Sequence, residues 1–284
     1  VHRGFPEPAC ADPLTEPRYV RPPDPIPDTP ETRRDMAAYN TALRRQDRKM
    51  GGVLDALAQN ELAENTIVVC TTDHGIAFPR MKCNLEDSGI GIFLIMRGPG
   101  IPDGQCIDGM VSHVDVFPTL CELLEIEPPD WLQGVSFAPL LRGDVEQVRE
   151  EVFAEVNYHA AYEPMRCVRT TRWTYIRRYY DRRRPVLPNC DNSPSKDLWL
   201  EHGWSEQAPP QEALFDLVFD PHETNNVAGD AGHRSALDEM RERLDRWMEE
   251  TDNPLLEGDV PAPKGARITR QDERNPGGES YLVE

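Results

Sequence analysis

Apolar positions fall into distinct rhythms along the chain, and each rhythm predicts a different element. After Thr29 and Pro30, residues Met36, Tyr39, Leu43, Met50, Val53, Leu54 and Leu57 recur at helical spacing. A helix with one buried face is therefore predicted. Thr29 suits its cap, and Pro30 suits the first helical position, where a missing N–H costs nothing. Gly51-Gly52 inside this helix predicts close packing or a bend. Residues 66–72, Thr-Ile-Val-Val-Cys-Thr-Thr, form a continuous apolar and β-branched run. Such a run, without alternation, predicts a strand buried on both faces, as in a parallel sheet. A second strand of this kind is predicted at 91–96, stopped by Arg97-Gly98-Pro99-Gly100. Ser112-His113-Val114-Asp115 fits a capping box ahead of an apolar helix over 116–124.

From about residue 150 the rhythm shortens. Strands are predicted at 151–156, 165–170 and 173–180, followed by a polar insertion over 181–212. Leu214-Phe215-Asp216-Leu217, a turn at Asp220-Pro221-His222-Glu223 and a helix over 235–248 come next. The polar residues 252–284 are expected to form a loosely held tail. Eight prolines up to Pro27 make the start an extended, irregular arm. The fold class expected is α/β. Residues 1–148 should form part of a mostly parallel sheet flanked by helices, with 1–30 as the arm. Residues 149–251 should form a smaller α+β subdomain with an antiparallel sheet.

Composition narrows the partners. The 284 residues carry 50 acidic against 31 basic side chains, a net charge of −19. That balance disfavours nucleic acid, whose phosphates call for a basic surface. No apolar run approaches the roughly 18 residues of a membrane span. The seven cysteines are odd in number and include no C-x-x-C pair. They therefore indicate neither a zinc ribbon nor a complete disulfide framework, and Cys70 and Cys121 read as buried thiols. Val1-His2-Arg3-Gly4 has neither an initiator Met nor a signal-peptide pattern. The chain is expected to be cut from something longer, so its compartment stays open.

The strongest local chemistry is Asp73-His74, at the end of the first apolar strand. Ligands of open α/β sheets gather outside the carboxyl ends of strands. A carboxylate and an imidazole there can share a divalent cation: Ca²⁺ or Mg²⁺ through the Asp oxygen, Zn²⁺ or Mn²⁺ with the softer His. Equally, Asp73 can cap a turn while His74 packs. Lys82, nine residues on, can neutralise a sulfate or phosphate oxygen or a leaving group, or lie solvated on the surface. His113 reads as a helix-start residue. His2 alone carries no signal, and His159 and Arg166 read as polar residues beside a strand start.

These pieces together resemble the sulfatase family of the alkaline-phosphatase superfamily, especially the heparan N-sulfatase branch and its bacterial relatives. The resemblance is carried by Asn65-Thr66-Ile67-Val68-Val69-Cys70-Thr71-Thr72-Asp73-His74-Gly75, where that branch often has Asn in place of His74. It is carried further by Phe78-Pro79-Arg80-Met81-Lys82-Cys83-Asn84-Leu85 and by Val111-Ser112-His113-Val114-Asp115. Tyr158-His159, Glu163-Pro164-Met165-Arg166 and Asp220-Pro221-His222-Glu223-Thr224-Asn225-Asn226 complete it.

The resemblance implies a hydrolase of sulfate esters or N-sulfates on a sulfated sugar. Asp73 and His74 would be metal ligands, most simply of Ca²⁺. Lys82 and His2 would serve the sulfate or leaving group, and His159 and Arg166 would lie near the substrate. The family's nucleophile, a formylglycine matured from a Cys/Ser-x-Pro/Ala-x-Arg motif, has no counterpart among these cysteines. It is expected in a missing N-terminal half of the same enzyme, and the fragment alone is expected to be inactive. Two alternatives stay open. One is a phosphonate or phosphodiester hydrolase of the same superfamily, with Mn²⁺ or Zn²⁺. The other is a non-catalytic module that holds sulfated glycans on Arg177, Arg178, Arg182, Arg183 and Arg184.

Overall fold

The computed structural model describes residues 4–5 and 15–284. Helix α1 (Pro30–Gln59) begins as the pattern requires. The Thr29 hydroxyl accepts the Thr32 N–H and the Thr32 hydroxyl accepts the Thr29 N–H, with Pro30 in the first turn. Only its first half is well packed, through Ala37, Tyr39 and Thr41. The apolar stripe expected to be buried along the whole helix is not: Val53 and Leu54 face solvent. Spacing sets which residues share a face, but burial needs a neighbour, and neighbours reach mainly the N-terminal half.

Strands β1 (Val68–Thr71) and β2 (Leu94–Arg97) follow, joined by a connection that includes the short helix α2 (Asp87–Ile90). They pair antiparallel, Val68 opposite Arg97 and Thr71 opposite Leu94. The mostly parallel sheet expected here is thus corrected: every strand pair among the described residues is antiparallel. The expected burial on both faces also fails, since Ile95 is 62% exposed. An apolar run specifies that cover is needed, not the direction of the strand that pairs beside it.

Helices α3 (Val116–Leu123) and α4 (Ala138–Arg142) pack next to this pair. Their joint is the Ser112-His113-Val114-Asp115 corner. The Asp115 carboxylate, wholly buried, accepts the Ser112 N–H (2.8 Å), the Val135 N–H (2.8 Å) and Arg149 Nε (2.6 Å), with a second Arg149 nitrogen on its other oxygen. A buried charge is tolerable only when satisfied in this way.

The remainder is a four-stranded antiparallel meander, β3 (Glu151–Tyr158), β4 (Tyr162–Thr170), β5 (Trp173–Arg178) and β6 (Glu212–Asp216), in spatial order 3-4-5-6. Alternation divides its two faces. Val168, Tyr175 and Leu214 meet Leu237, Met240, Leu244 and Met248 of the long helix over 234–250. Met165, Cys167, Ile176 and Phe215 meet Leu85 from the α2 connection. The antiparallel sheet expected from the sequence is therefore present.

Two expectations change here. The polar insertion contains helix α5 (Pro194–Glu201), capped by the Ser193 side chain; the 234–250 helix is accordingly α6. The supposed loose tail is fastened. It forms a hairpin of β7 (Arg267–Thr269) and β8 (Ser280–Leu282). The Thr269 N–H donates to the Ala160 carbonyl at 2.8 Å, and the Tyr158 hydroxyl donates to the Val260 carbonyl. Polar composition hid this because backbone groups and a few side chains do the fastening. No helix among the described residues is long and apolar enough to cross a membrane.

Removing the buried carboxylate in Asp115→Ala leaves the Arg149 guanidinium and two N–H groups without their acceptor. Stability should fall by about 3–5 kcal/mol, read from urea unfolding midpoints at unchanged m-value. A loss under about 1 kcal/mol would mean that water replaces the carboxylate without penalty.

Candidate active site

β1 delivers the chain to the corner Thr72-Asp73-His74-Gly75, and a glycine contact fixes that corner. The Gly75 N–H donates to the Gly89 carbonyl at 2.8 Å. A Cβ on Gly75 would lie 1.9 Å from the Ser88 carbonyl oxygen, and one on Gly89 2.3 Å from that of Asn84. Both backbones therefore approach closer than any side chain permits. This contact holds the Asp73-His74 pair against the connection that carries Lys82.

The His74 ring is oriented by its own neighbour. Its Nδ1 lies 2.6 Å from the Gly75 carbonyl oxygen, an atom that can only accept, so Nδ1 carries the proton. In the neutral ring Nε2 is then the lone-pair nitrogen, and it lies 3.5 Å from Asp73 Oδ2. Two lone-pair donors facing one another at that distance are stabilised by a proton or a cation between them. The pair fits one part of a metal shell. Among the described residues no group of three or more His, Cys, Asp and Glu side chains could hold an ion, and hard cations take about six to eight oxygens.

Lys82 is buried, with Nζ 3.0 Å from Asp191 Oδ2. Its stretch of chain is anchored by Phe78 and Met81, which pack with Ile26 and Tyr39. The Lys82 N–H donates to the Ile76 carbonyl. Beside it, burial pushes the Cys83 thiol up to about 12, so this thiol stays protonated and unreactive near neutrality.

Asp73, His74, Lys82 and His159 line one cavity of about 470 Å³, together with His113 and Glu155. His113 was read as a helix-start residue, yet its Nε2 lies 3.0 Å from Thr71 Oγ1 at the mouth of the corner. Position beside a capping box gave no sign of this; only the pairing of β1 with β2 does. His159 sits on the turn between β3 and β4, whose Ala160 and Ala161 N–H groups donate to Asn189 Oδ1 at 3.0 and 2.8 Å. His2 lies outside the described residues.

Arg166 does not line the cavity. It is completely buried, opposite Glu155 in the β3–β4 register. Its Nε lies 3.0 Å from Glu155 Oε2, and it donates to Asn253 Oδ1 and to the Val156 and Met165 carbonyls. Its expected contact with substrate is therefore replaced by a structural role behind the cavity wall. The arginine cluster proposed to hold glycans is also largely consumed: Arg177 pairs with Asp245, Arg182 with Asp272 and Arg184 with Glu206, and Arg178 is buried. Glu163 is buried as well, and burial raises its carboxyl to about 6, although Asn189 (2.8 Å) and the Tyr180 hydroxyl (2.9 Å) donate to it.

Comparison with known proteins identifies the family. Residues 5–126 match the family described as Sulfatase, and residues 80–197 match N-sulphoglucosamine sulphohydrolase, C-terminal. The chain belongs to the sulfatase family. It is 30% identical over 238 residues to an ulvan-active sulfatase of Formosa agariphila, covering 78% of this chain and 39% of that protein. It is 29% identical over 257 residues to human N-sulphoglucosamine sulphohydrolase, covering 81% of this chain and 51% of that one. Among solved structures, a 2-O GAG sulfatase superposes with a TM-score of 0.66 at 24% identity, covering 86% of this chain and 50% of that chain. The chain thus spans about half or less of the lengths of these relatives.

Arg166→Ala should cost about 1–3 kcal/mol of stability, because buried Asn253 and the Val156 and Met165 carbonyls lose their donor while half-exposed Glu155 is left to water. His159→Ala, at an exposed side chain, should cost clearly less, under about 1 kcal/mol. Equal losses in chemical denaturation would contradict the division between wall and rim. Glu163 adds a pH test. Its folded carboxyl binds a proton more tightly than the unfolded chain does, so its contribution is fully present below about pH 4.5 and is lost as pH rises through about 6. Between about pH 4 and 7, Glu163→Gln should gain up to about 2 kcal/mol on the parent; a constant difference would refute the assignment.

Proposed function

We propose that this chain forms one side of the active site of a sulfatase that removes sulfate from a sugar, as an ester or an N-sulfate. The observation that carries the reading is convergence. Asp73-His74 from a strand end, Lys82 from a connection, His113 from a helix start and His159 from a β-turn all face one cavity. Membership of the sulfatase family supports it further.

Asp73 Oδ2 and His74 Nε2 would supply two ligands to a divalent cation, completed by groups outside the described set. Such an ion supplies Lewis-acid polarisation of a sulfate oxygen. Calcium is the simplest assignment for a carboxylate-led site, and the imidazole leaves Mn²⁺ or Zn²⁺ as the ions of a phosphodiesterase-like relative. The chain's own contribution is positioning and charge. The Gly75 carbonyl fixes the His74 ring with Nε2 turned toward Asp73. The Lys82 ammonium brings positive charge to a largely enclosed place, where it acts on an oxyanion or leaving group more strongly than it would in water. His113 and His159 stand at the rim, where sugar hydroxyls would meet them. The nucleophile would come from a formylglycine-bearing N-terminal portion of the same enzyme, and without it turnover is not expected.

The test uses the full-length enzyme with an aryl sulfate and an N-sulfated glucosamine, and an aryl phosphodiester run in parallel. Asp73→Ala should abolish sulfate release, and Lys82→Ala should lower kcat/KM about 100- to 1,000-fold. Chelation should stop turnover and Ca²⁺ should restore it. Sulfate turnover retained in Asp73→Ala would remove that residue from the site, and preferred cleavage of the phosphodiester would replace the sulfatase reading.

A further inference from the structure

The region over 181–212 reads in sequence as a polar insertion. In space it supplies the partner of the cavity's lysine. Lys82 Nζ lies 3.0 Å from Asp191 Oδ2, across 109 residues of sequence, and both side chains are largely shielded from solvent. The stem of lysine is flexible and its ammonium is a point charge without the fixed fork of arginine. A lysine that must meet an oxyanion at one place therefore needs its direction set from outside.

Asp191 is itself held at a fixed place. Two residues before it, Asn189 accepts the Ala160 and Ala161 N–H groups and donates to Glu163. Two residues after it, Ser193 caps α5 by accepting the Lys196 N–H at 3.0 Å. The buried Lys196 ammonium donates to the Leu187, Cys190 and Arg274 carbonyls at 2.9, 2.7 and 2.6 Å. The Ser195 hydroxyl donates to Asp35 of α1 at 2.6 Å. The carboxylate thus projects from a braced loop.

We infer that Asp191 is a positioning residue of the active site: it takes one of the three N–H donors of Lys82 and directs the other two into the cavity, toward the sulfate group. This rests on the sulfatase reading of that cavity. It assigns the insertion a role in turnover, exerted through Lys82 rather than by touching substrate. The same loop steadies the turn bearing His159 through Asn189, so two walls of the cavity share one brace.

The experiment is a double-mutant cycle in the full-length enzyme, with Asp191→Asn, Asp191→Glu, Lys82→Ala and the Lys82→Ala/Asp191→Asn pair. Asp191→Asn should lower kcat about 10- to 100-fold, as loss of an orienting partner does elsewhere, with KM changed far less. Asp191→Glu should restore part of the loss. In the Lys82→Ala background, Asp191→Asn should cost nothing further. Independent, multiplying effects, or an unchanged kcat in Asp191→Asn, would overturn the inference while leaving the sulfatase reading intact. Full activity in Lys82→Ala would instead sink the assigned role of Lys82 and, with it, that of Asp191. A second readout needs no turnover. In the chain alone, acylation of Lys82 followed by mass spectrometry should speed up several-fold in Asp191→Asn relative to Lys264, with thermal unfolding confirming a folded variant. An unchanged rate would show that the carboxylate does not hold the ammonium.

Discussion

The contact between Gly75 and Gly89 is the constraint on which the cavity depends. Two stretches of backbone meet there with no room for a side chain. One has just left β1 with the Asp73-His74 pair, and the other closes the connection bearing Lys82. A Cβ on Gly75 would press on the Ser88–Gly89 backbone and push the carboxylate–imidazole pair away from the ammonium, and one on Gly89 would press on the Met81 and Asn84 carbonyls of the Lys82 connection itself. The glycines therefore contribute geometry rather than chemistry, and the charged groups are useful only because that geometry is held.

Around this joint the chain arranges successive supports. The Asp35–Ser195 bond ties α1 to the helix of the insertion. The Glu223 carboxylate accepts the Asp87 N–H at the start of α2 and meets Arg169 of β4. The closing Asp220–Asn226 turn thus braces the Lys82 connection from the side of the meander. Arg166 holds the far wall through Glu155. All but the last of these are buried or half-buried polar contacts between segments far apart in sequence, and each support costs stability if only one partner is removed.

What the sequence made legible was local. The Thr29 cap, the corner at Asp115, the strands of the meander and the Asp73-His74 pair follow from spacing and capping chemistry, which act within a few residues. What stayed hidden was relational. The direction of the strand beside β1 depends on β2, which no pattern in 66–72 specifies. Arg166 reads as a surface cation because its partners, Glu155 and Asn253, lie on other elements. His113 belongs to the cavity only because β2 brings Phe93 and Thr71 together beside it; Thr71 bonds both the Phe93 carbonyl and the His113 ring. The helix over 194–201 was signalled by Ser193-Pro194 and was obscured by the polar composition around it.

The bond from Thr269 to the Ala160 carbonyl has a consequence for how the molecule tolerates change. It couples the β7–β8 hairpin to the rim on which His159 stands. Proteolytic nicking or disruption of that hairpin would loosen a loop that lies more than a hundred positions upstream. The β7–β8 hairpin is thus a mechanical part of the pocket entrance.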